Sequence, residues 1–313
     1  MDYVYDVSIL VLSYRPALQK LLTSLKAAIQ QVGVRFEVIV SDDGSETDYF
    51  HEIEAFFEKN HFKDYRLIKN SVNVGTVRNI YGAVLQSSGK YIYLNSPGDY
   101  LFDPKAMSDF FRFAESRKAD ICFGDYISYT TADDGGVRFD TRAYHPSNVE
   151  VFSRGIRNYR TDFFIGWGIL GASYFRSREF ALESLDFAAR YSKFTEDGTT
   201  TAYALLKNIP VYYYPRKIVW YENGTGISAN GFSRVKQDFL NTYRALLKRY
   251  PRSRILKAGL FFHENEDNPR CLYKLAVRFP LISARKRMLG RLPKRTVSLS
   301  DREKLDFSRL CGQ

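Results

Sequence analysis

From Val7 to Gly124, short β-branched runs alternate with longer stretches whose apolar residues recur at helical spacing. The runs are VSILVLS (7–13), FEVIVS (36–41), YRLIK (65–69), KYIYL (90–94) and ADICFG (119–124). Their length and residue types predict strands, while stretches such as PALQKLLTSLKAAIQQ (16–31) predict helices. Pro16 in a first helical turn and Gly33 just past the last match the usual start and stop signals. Regular alternation of this kind predicts a mostly parallel sheet with helices packed on its faces.

In such sheets ligands bind beyond the carboxyl ends of the strands. That rule selects SYRP after the first strand, SDDGSETD after the second, NSVNVGTVRN after the third and NSPGDYLFDP after the fourth. Each is rich in Asp, Asn, Ser, Gly or Arg. One such loop is ordinary turn chemistry; four in succession at strand ends predict a polar pocket. After residue 125 the pattern loosens into a polar and aromatic region, then FFIGWGILGASYF (163–175) and FTEDGTTTAYALLKNIPVYYYP (194–215). The last reads as a helix followed by a strand, with Thr195 as N-cap and Glu196 and Asp197 in the first turn. From Phe232 onward the pattern is helical and amphipathic, as in SRVKQDFLNTYRALLKRY (233–250).

Composition narrows the chemistry. The chain has 313 residues, 45% of them hydrophobic, enough for a sizeable core. No run of about 18 apolar residues occurs and no basic-then-apolar leader follows Met1, so neither a spanning helix nor a signal peptide is expected and the default location is the cytoplasm. Cys122, Cys271 and Cys311 lie far apart without a CxxC pair, which argues against a disulfide framework or structural zinc. The four histidines, at 51, 61, 145 and 263, are scattered. Any chemistry therefore rests on carboxylates. The net charge of +11 is concentrated: residues 243–295 hold fifteen Lys and Arg against three acids, and the other 260 residues are close to neutral.

VSILVLSYRP, FEVIVSDDGSETD, NVGTVRNIYGAVLQSSGKYIYLNSPGDYLFDP and TEDGTTTAYALLKN occur in an order and spacing that resembles family 2 glycosyltransferases of the GT-A fold, over roughly residues 7–230. The resemblance implies a Rossmann-like α/β domain with a mostly parallel central sheet flanked by helices. It implies an inverting enzyme that moves a sugar from a nucleoside-diphosphate donor to an acceptor hydroxyl, with Mg2+ or Mn2+ on the diphosphate. Carried over by position, Ser13 and Tyr14 approach the base, and Asp42 and Asp43 read base or ribose. Arg78 flanks the nucleotide, Asp99 contacts the metal, and Asp197 is the catalytic base with Glu196 as the alternative. The expected division is a glycosyltransferase domain over 1–230, with a nucleotide-binding half to about 125 and an acceptor half over 126–230. A helical, basic C-terminal extension follows over 231–313.

Each assignment has a plainer counterpart. An aspartate accepts from a ring N–H or a ribose hydroxyl, yet DDGS also forms an Asx-type turn by itself. Of the adjacent pair Asp42 and Asp43, strand geometry turns one toward the nucleotide. Glu196 and Asp197 also suit a helix dipole, worth about 0.3–1 kcal/mol. The turn NSPGD departs from the family's paired carboxylates: Asn95 and Gly98 stand where acids are usual, and Pro97 looks additional. Asn95 still hydrogen-bonds a ribose hydroxyl, and Asp99 with diphosphate oxygens and water still suits a cation, more weakly than a pair; the alternative is a simple Pro-Gly turn.

Trp167 in GWG offers an aromatic platform for the acceptor sugar or a core side chain. YENGTGIS (221–228) resembles a loop that closes over the donor. The basic segment, as in CLYKLAVRFPLISARKRMLGRLPKR, suits an anionic membrane surface, and hence a peripheral enzyme on the inner face of the cell membrane with a glycan or lipid-linked glycan acceptor. A solvated helical face or a dimer contact explains the same pattern. RRM, KH and zinc-finger signatures are absent, so nucleic acid is not an expected partner. A scaffold protein of the same fold that binds nucleotide-sugar without turnover is the alternative function, motivated by the altered turn.

Overall fold

The computed structural model describes residues 3–132, 135–141, 171–225, 233–265, 268 and 296–312. The first half repeats strand and helix: β1 (Tyr5–Ser13), α1 (Leu18–Ile29), β2 (Phe36–Asp42), α2 (Phe50–Lys59), β3 (Tyr65–Lys69), α3 (Thr76–Leu85) and β4 (Gly89–Asn95). After it come β5 (Tyr100–Leu101), α4 (Ala106–Arg117), β6 (Ile121–Thr131), β7 (Val137–Asp140) and β8 (Tyr174–Ser177). The remainder is α5 (Arg178–Ala188), α6 (Glu196–Lys207), β9 (Val211–Glu222), α7 (Ser233–Arg249), α8 (Arg254–Asn265) and α9 (Asp301–Cys311).

The described strands form one sheet in the order β3-β2-β1-β4-β8-β6-β9-β5, with β7 on β6. Most paired residues lie in parallel ladders, β1 with β2 and β4, β2 with β3, and β6 with β9. β8, β7 and β5 join antiparallel. Residues on β1 show why the run VSILVLS becomes an interior strand. Val7, Ile9 and Val11 point to one face and join Leu25, Phe57 and Phe110 from α1, α2 and α4. Leu10 points to the other and joins Val77, Ile80 and Leu185 from α3 and α5. A strand covered on both faces must be largely apolar, as Val7 and Ile9–Leu12 are, and the polar residue among them, Ser8, is buried with its hydroxyl donating to Glu37 at 2.6 Å.

Two boundaries differ from the sequence reading. α1 starts at Leu18 with Ala17 as N-cap, so Pro16 lies in the approach and not in the first turn. β6 does not stop at Gly124; it runs on to Thr131 through irregular register with β9 at Gly124–Tyr126, which breaks the periodicity that sequence reading depends on.

α9 returns to the main core. Its capping box, Ser300 with Glu303, fixes the start of the helix. Phe307, 1% exposed, inserts among Tyr100, Tyr129, Phe139 and Trp220, with ring centroids 4.8 to 6.0 Å apart. The helix thereby buttresses the strands that carry the turn 95–99 from behind.

Candidate active site

Side by side, β1 and β2 end at Ser13 and Asp42, which are register partners, and β4 ends at Asn95. Beyond these ends lies a cavity of about 530 Å³ whose wall includes Ser13, Tyr14, Asp43, Asp99, Glu196 and Asp197. The fold thus brings together six of the residues singled out from sequence. Asp42, Asn95 and Arg78 are not part of this wall: the first two are buried behind it and Arg78 is exposed on α3.

The adjacent aspartates divide their tasks as strand geometry requires. Asp42 organises its own turn, accepting from the Ser45 N–H at 2.7 Å, the Ser45 hydroxyl at 2.6 Å and the Ser13 hydroxyl at 3.0 Å. Asp43 faces the cavity and holds the loop before α3, accepting from the Val74 and Gly75 N–H groups, both at 2.9 Å, and from the Asn70 amide at 3.1 Å. Gly75 is required there: its φ is +90°, and a Cβ would meet the Lys193 carbonyl at 2.9 Å. Tyr14, 45% exposed, leaves one ring face for a planar ligand while the Arg15 guanidinium lies 5.2 Å from its centroid.

Turn 95–99 is stapled from three sides. Ser24 Oγ accepts the Gly98 N–H at 3.2 Å, the Tyr129 hydroxyl donates to the Gly98 carbonyl at 2.5 Å, and the Asp99 carboxylate accepts the Glu222 N–H at 3.0 Å. Glu222 brings a second carboxylate to this turn. It is 5% exposed and pairs with Lys20 at 2.6 Å. Burial, with the Glu222 charge adding to it and the Glu222 N–H opposing it, pushes the Asp99 pKa up to about 8. Among the described residues, neither amide atom of Asn95 nor Glu222 Oε2 has a hydrogen-bond partner.

At the far wall, α6 begins at Glu196. Thr195 is its N-cap, but contrary to the sequence reading its hydroxyl caps no helix N–H; it contacts Ser192 Oγ at 3.0 Å. The helix entry is held instead by buried Asp238 of α7, which accepts from the Ser192 hydroxyl and from the Lys193, Phe194 and Thr195 N–H groups at 2.7 to 3.1 Å. Glu196 pairs at 2.7 Å with Arg176, whose side chain is fully buried on β8. Asp197 accepts the Gly198 N–H at 2.7 Å. Burial raises the pKa of both acids; for Glu196 the Arg176 charge opposes the rise.

Arg176, Glu222 and Asp238 were not found from sequence. Each meets its partner across 20 or more residues, and only the position of Glu222, an acid closing the run VWYE beside a glycine-rich loop, offered a signal. Trp167, the loop after Thr225 and the basic residues 269–295 lie outside the described residues. Among the described residues, no three His, Cys, Asp or Glu side chains cluster as a ready metal cage, and no helix is long and apolar enough to cross a membrane.

A mostly parallel α/β sheet with an acid-lined cavity at its carboxyl edge fits the GT-A class, and solved structures place it there. The crystal structure of S. aureus TarS 1-349 aligns with a TM-score of 0.57 at 15% identity, over 91% of this chain and 81% of that one. TarS 1-349 in complex with UDP-GlcNAc aligns at 0.58 and 17% identity, over 92% and 82%. The mannosyltransferase PcManGT from Pyrobaculum calidifontis, in complex with GDP-Man and Mn2+, aligns at 0.58 and 15%, over 93% and 78%. At these identities the likeness concerns the fold. No curated protein matches the sequence. Residues 8–176, more than half of the chain, match glycosyl transferase family 2, and the chain belongs to that family: it is a glycosyltransferase.

Proposed function

We propose that this glycosyltransferase uses a nucleoside-diphosphate-sugar donor and transfers the sugar with inversion to an acceptor hydroxyl. The observation that carries this reading is one cavity with a nucleotide-facing edge, Ser13, Tyr14 and Asp43, and two separate acidic ends, Asp99 and Asp197. The solved complexes of TarS with UDP-GlcNAc and of PcManGT with GDP-Man support the donor class. Tyr14 stacks on the base, Asp43 accepts from base or ribose, and Arg78 and Asn95 contribute at the margin of the nucleotide.

In the transfer step the acceptor oxygen attacks the anomeric carbon opposite the diphosphate. Its proton passes to Asp197 as the new C–O bond forms, and the diphosphate departs with the electron pair of the broken bond. A positioned carboxylate contributes on the order of a hundredfold or more. Glu196 is the alternative base, but Arg176 engages it at 2.7 Å, which favours Asp197.

A divalent cation suits the turn 95–99. Hard cations take oxygen ligands and keep several waters, and the turn that begins at Asn95, whose amide oxygen is unpartnered among the described residues, offers the Asp99 carboxylate. Asp99 would hold Mg2+ or Mn2+, which when bound offsets the charge of the departing diphosphate. The acceptor is a glycan or lipid-linked glycan of a surface polysaccharide, with Trp167 beside the acceptor sugar and the basic segment against an anionic membrane face.

The altered turn also motivates a second reading, a binding protein without turnover. Thermal unfolding with UDP-, GDP- and dTDP-sugars, with and without Mn2+, tests the proposal. Binding to the native state raises stability by about 2.7 kcal/mol at a hundredfold excess over Kd. A Mn2+-dependent shift with one nucleotide is expected. Shifts with none of them count against donor binding, and a shift without transfer favours the second reading.

A further inference from the structure

Two positions of the turn 95–99 lack the acids usual in this family, and the structure shows what fills one of the vacated spaces. Gly98 has a φ of +99°, and a Cβ built there would collide with Glu222 Oε2 and lie 3.2 Å from Glu222 Cδ. The Glu222 carboxylate therefore sits where a side chain at position 98 would begin. It arrives from the end of β9, and its position is set by backbone pairing: Tyr100 is the register partner of Trp220, and the Glu222 N–H donates to the Asp99 carboxylate at 3.0 Å.

The Glu222 carboxylate is also incompletely used. Its Oε1 meets Lys20 at 2.6 Å, while Oε2 has no partner among the described residues although the side chain is only 4% exposed. At the start of the same turn the Asn95 amide, on a residue 2% exposed, is likewise unpartnered among the described residues. Buried polar atoms are nearly always satisfied, and two unpartnered acceptor oxygens at one turn, Glu222 Oε2 and Asn95 Oδ1, point to a ligand that completes them, the Asn95 NH2 remaining to donate to an oxygen of the donor. The two neighbouring carboxylates, Asp99 and Glu222, are oxygen donors of the kind hard divalent cations take.

On the reading of the cavity as a nucleoside-diphosphate-sugar site, we propose that Glu222 supplies the carboxylate that turn 95–99 lacks. Glu222 and Asp99 together hold the divalent cation of the donor. The acid lost from one strand end is returned from the neighbouring strand. Lys20 neutralises Glu222 when no cation is bound, and its side chain, 38% exposed, has water to withdraw into when one arrives.

Mn2+ binding by the full-length chain, read from the free-ion electron paramagnetic resonance signal with saturating UDP and separately with GDP, tests this without relying on turnover. With at least one of the nucleotides, the parent is expected to bind Mn2+, and Glu222→Gln and Asp99→Asn to weaken that binding at least tenfold. Lys20→Met is expected to tighten it severalfold, because the ammonium no longer competes for Glu222. Unchanged Mn2+ affinity in Glu222→Gln, with loss in Asp99→Asn, overturns the proposal and leaves the donor site standing. Unchanged or weakened binding in Lys20→Met also overturns it, because Glu222 then acts through its ion pair alone; this arm decides even where Glu222→Gln does not fold. Absence of Mn2+ binding by the parent with either nucleotide is a different failure, that of the metal-dependent donor reading itself.

Discussion

The two acidic ends of the cavity each set two carboxylates beside one cation, Lys20 at the turn and Arg176 at the head of α6, and differ in how that cation is held. At the turn, Asp99 has another carboxylate, Glu222, as its charged neighbour, and that charge raises its pKa further. At the head of α6, Glu196 and Asp197 have a buried guanidinium within reach, and its charge opposes the rise. Both ends consist of aspartate or glutamate in a buried setting, so residue type alone does not separate them. Their surroundings do: the cation beside the turn is Lys20, 38% exposed and free to withdraw into water, whereas the one under α6 is Arg176, fully buried and fixed; a withdrawable ammonium leaves room for a metal ion, and a fixed guanidinium leaves a single proton to move.

Removing Arg176 should affect the molecule most. Breaking a buried pair from one side leaves a charge without compensation, at a cost of about 3–5 kcal/mol. Arg176→Met is therefore expected to lower stability in chemical denaturation by that order, with part recovered when Glu196→Gln is added. A loss below about 1 kcal/mol, the range of surface pairs, would make the two ends electrostatically alike and break the contrast.

Asp197→Asn comes next, with transfer rate expected to fall on the order of a hundredfold or more while donor binding persists. The parent should carry the matching pH signature. A carboxylate acts as base only after losing its proton, and burial raises the Asp197 pKa, so the rate climbs with pH along a limb above the ordinary aspartate value of about 3.9. Loss of that limb in the variant, in a pH–rate profile, assigns the proton to this end; its survival moves the base elsewhere.

Tyr14→Ala is the mildest probe, because it touches neither end. Stacking of a base on an aromatic ring is worth about 1–3 kcal/mol, so the nucleotide Kd, by calorimetry, is expected to rise about tenfold. The pH limb and the effect of Mn2+ should stay as in the parent. A shift in either would show that the base edge and the acidic ends are coupled.

The sequence was legible where one strand or one turn carries the information. YRLIK spans the observed β3 in full, and the other early strands fall within two residues of their runs. Asp43 and Asp99 were singled out because each sits in a loop whose place follows from the parallel-sheet rule, and Asp197 through the family resemblance of a helix start; the fold brings all three to one cavity wall. The reading weakened where the pattern stops being periodic, at the irregular register of β6, and where a residue's importance comes from a distant partner. Asp238 illustrates the second case. In its own segment it is one polar position on an amphipathic helix, yet it gathers three successive N–H groups at the entry to α6.

The sequence by itself determined that this chain forms an α/β sheet with polar strand-end loops, and made carboxylates the candidates for its chemistry. Periodicity and turn chemistry act over a few neighbouring residues, so they survive in a one-dimensional reading. Only the tertiary structure decided which acids share a cavity, that Glu222 stands beside Asp99, and that Arg176 lies under Glu196. Those choices depend on strand order and register, which bring together residues that are 20 to 123 positions apart. At the few ångströms that result, the sign of a neighbouring charge sets what a carboxylate can do.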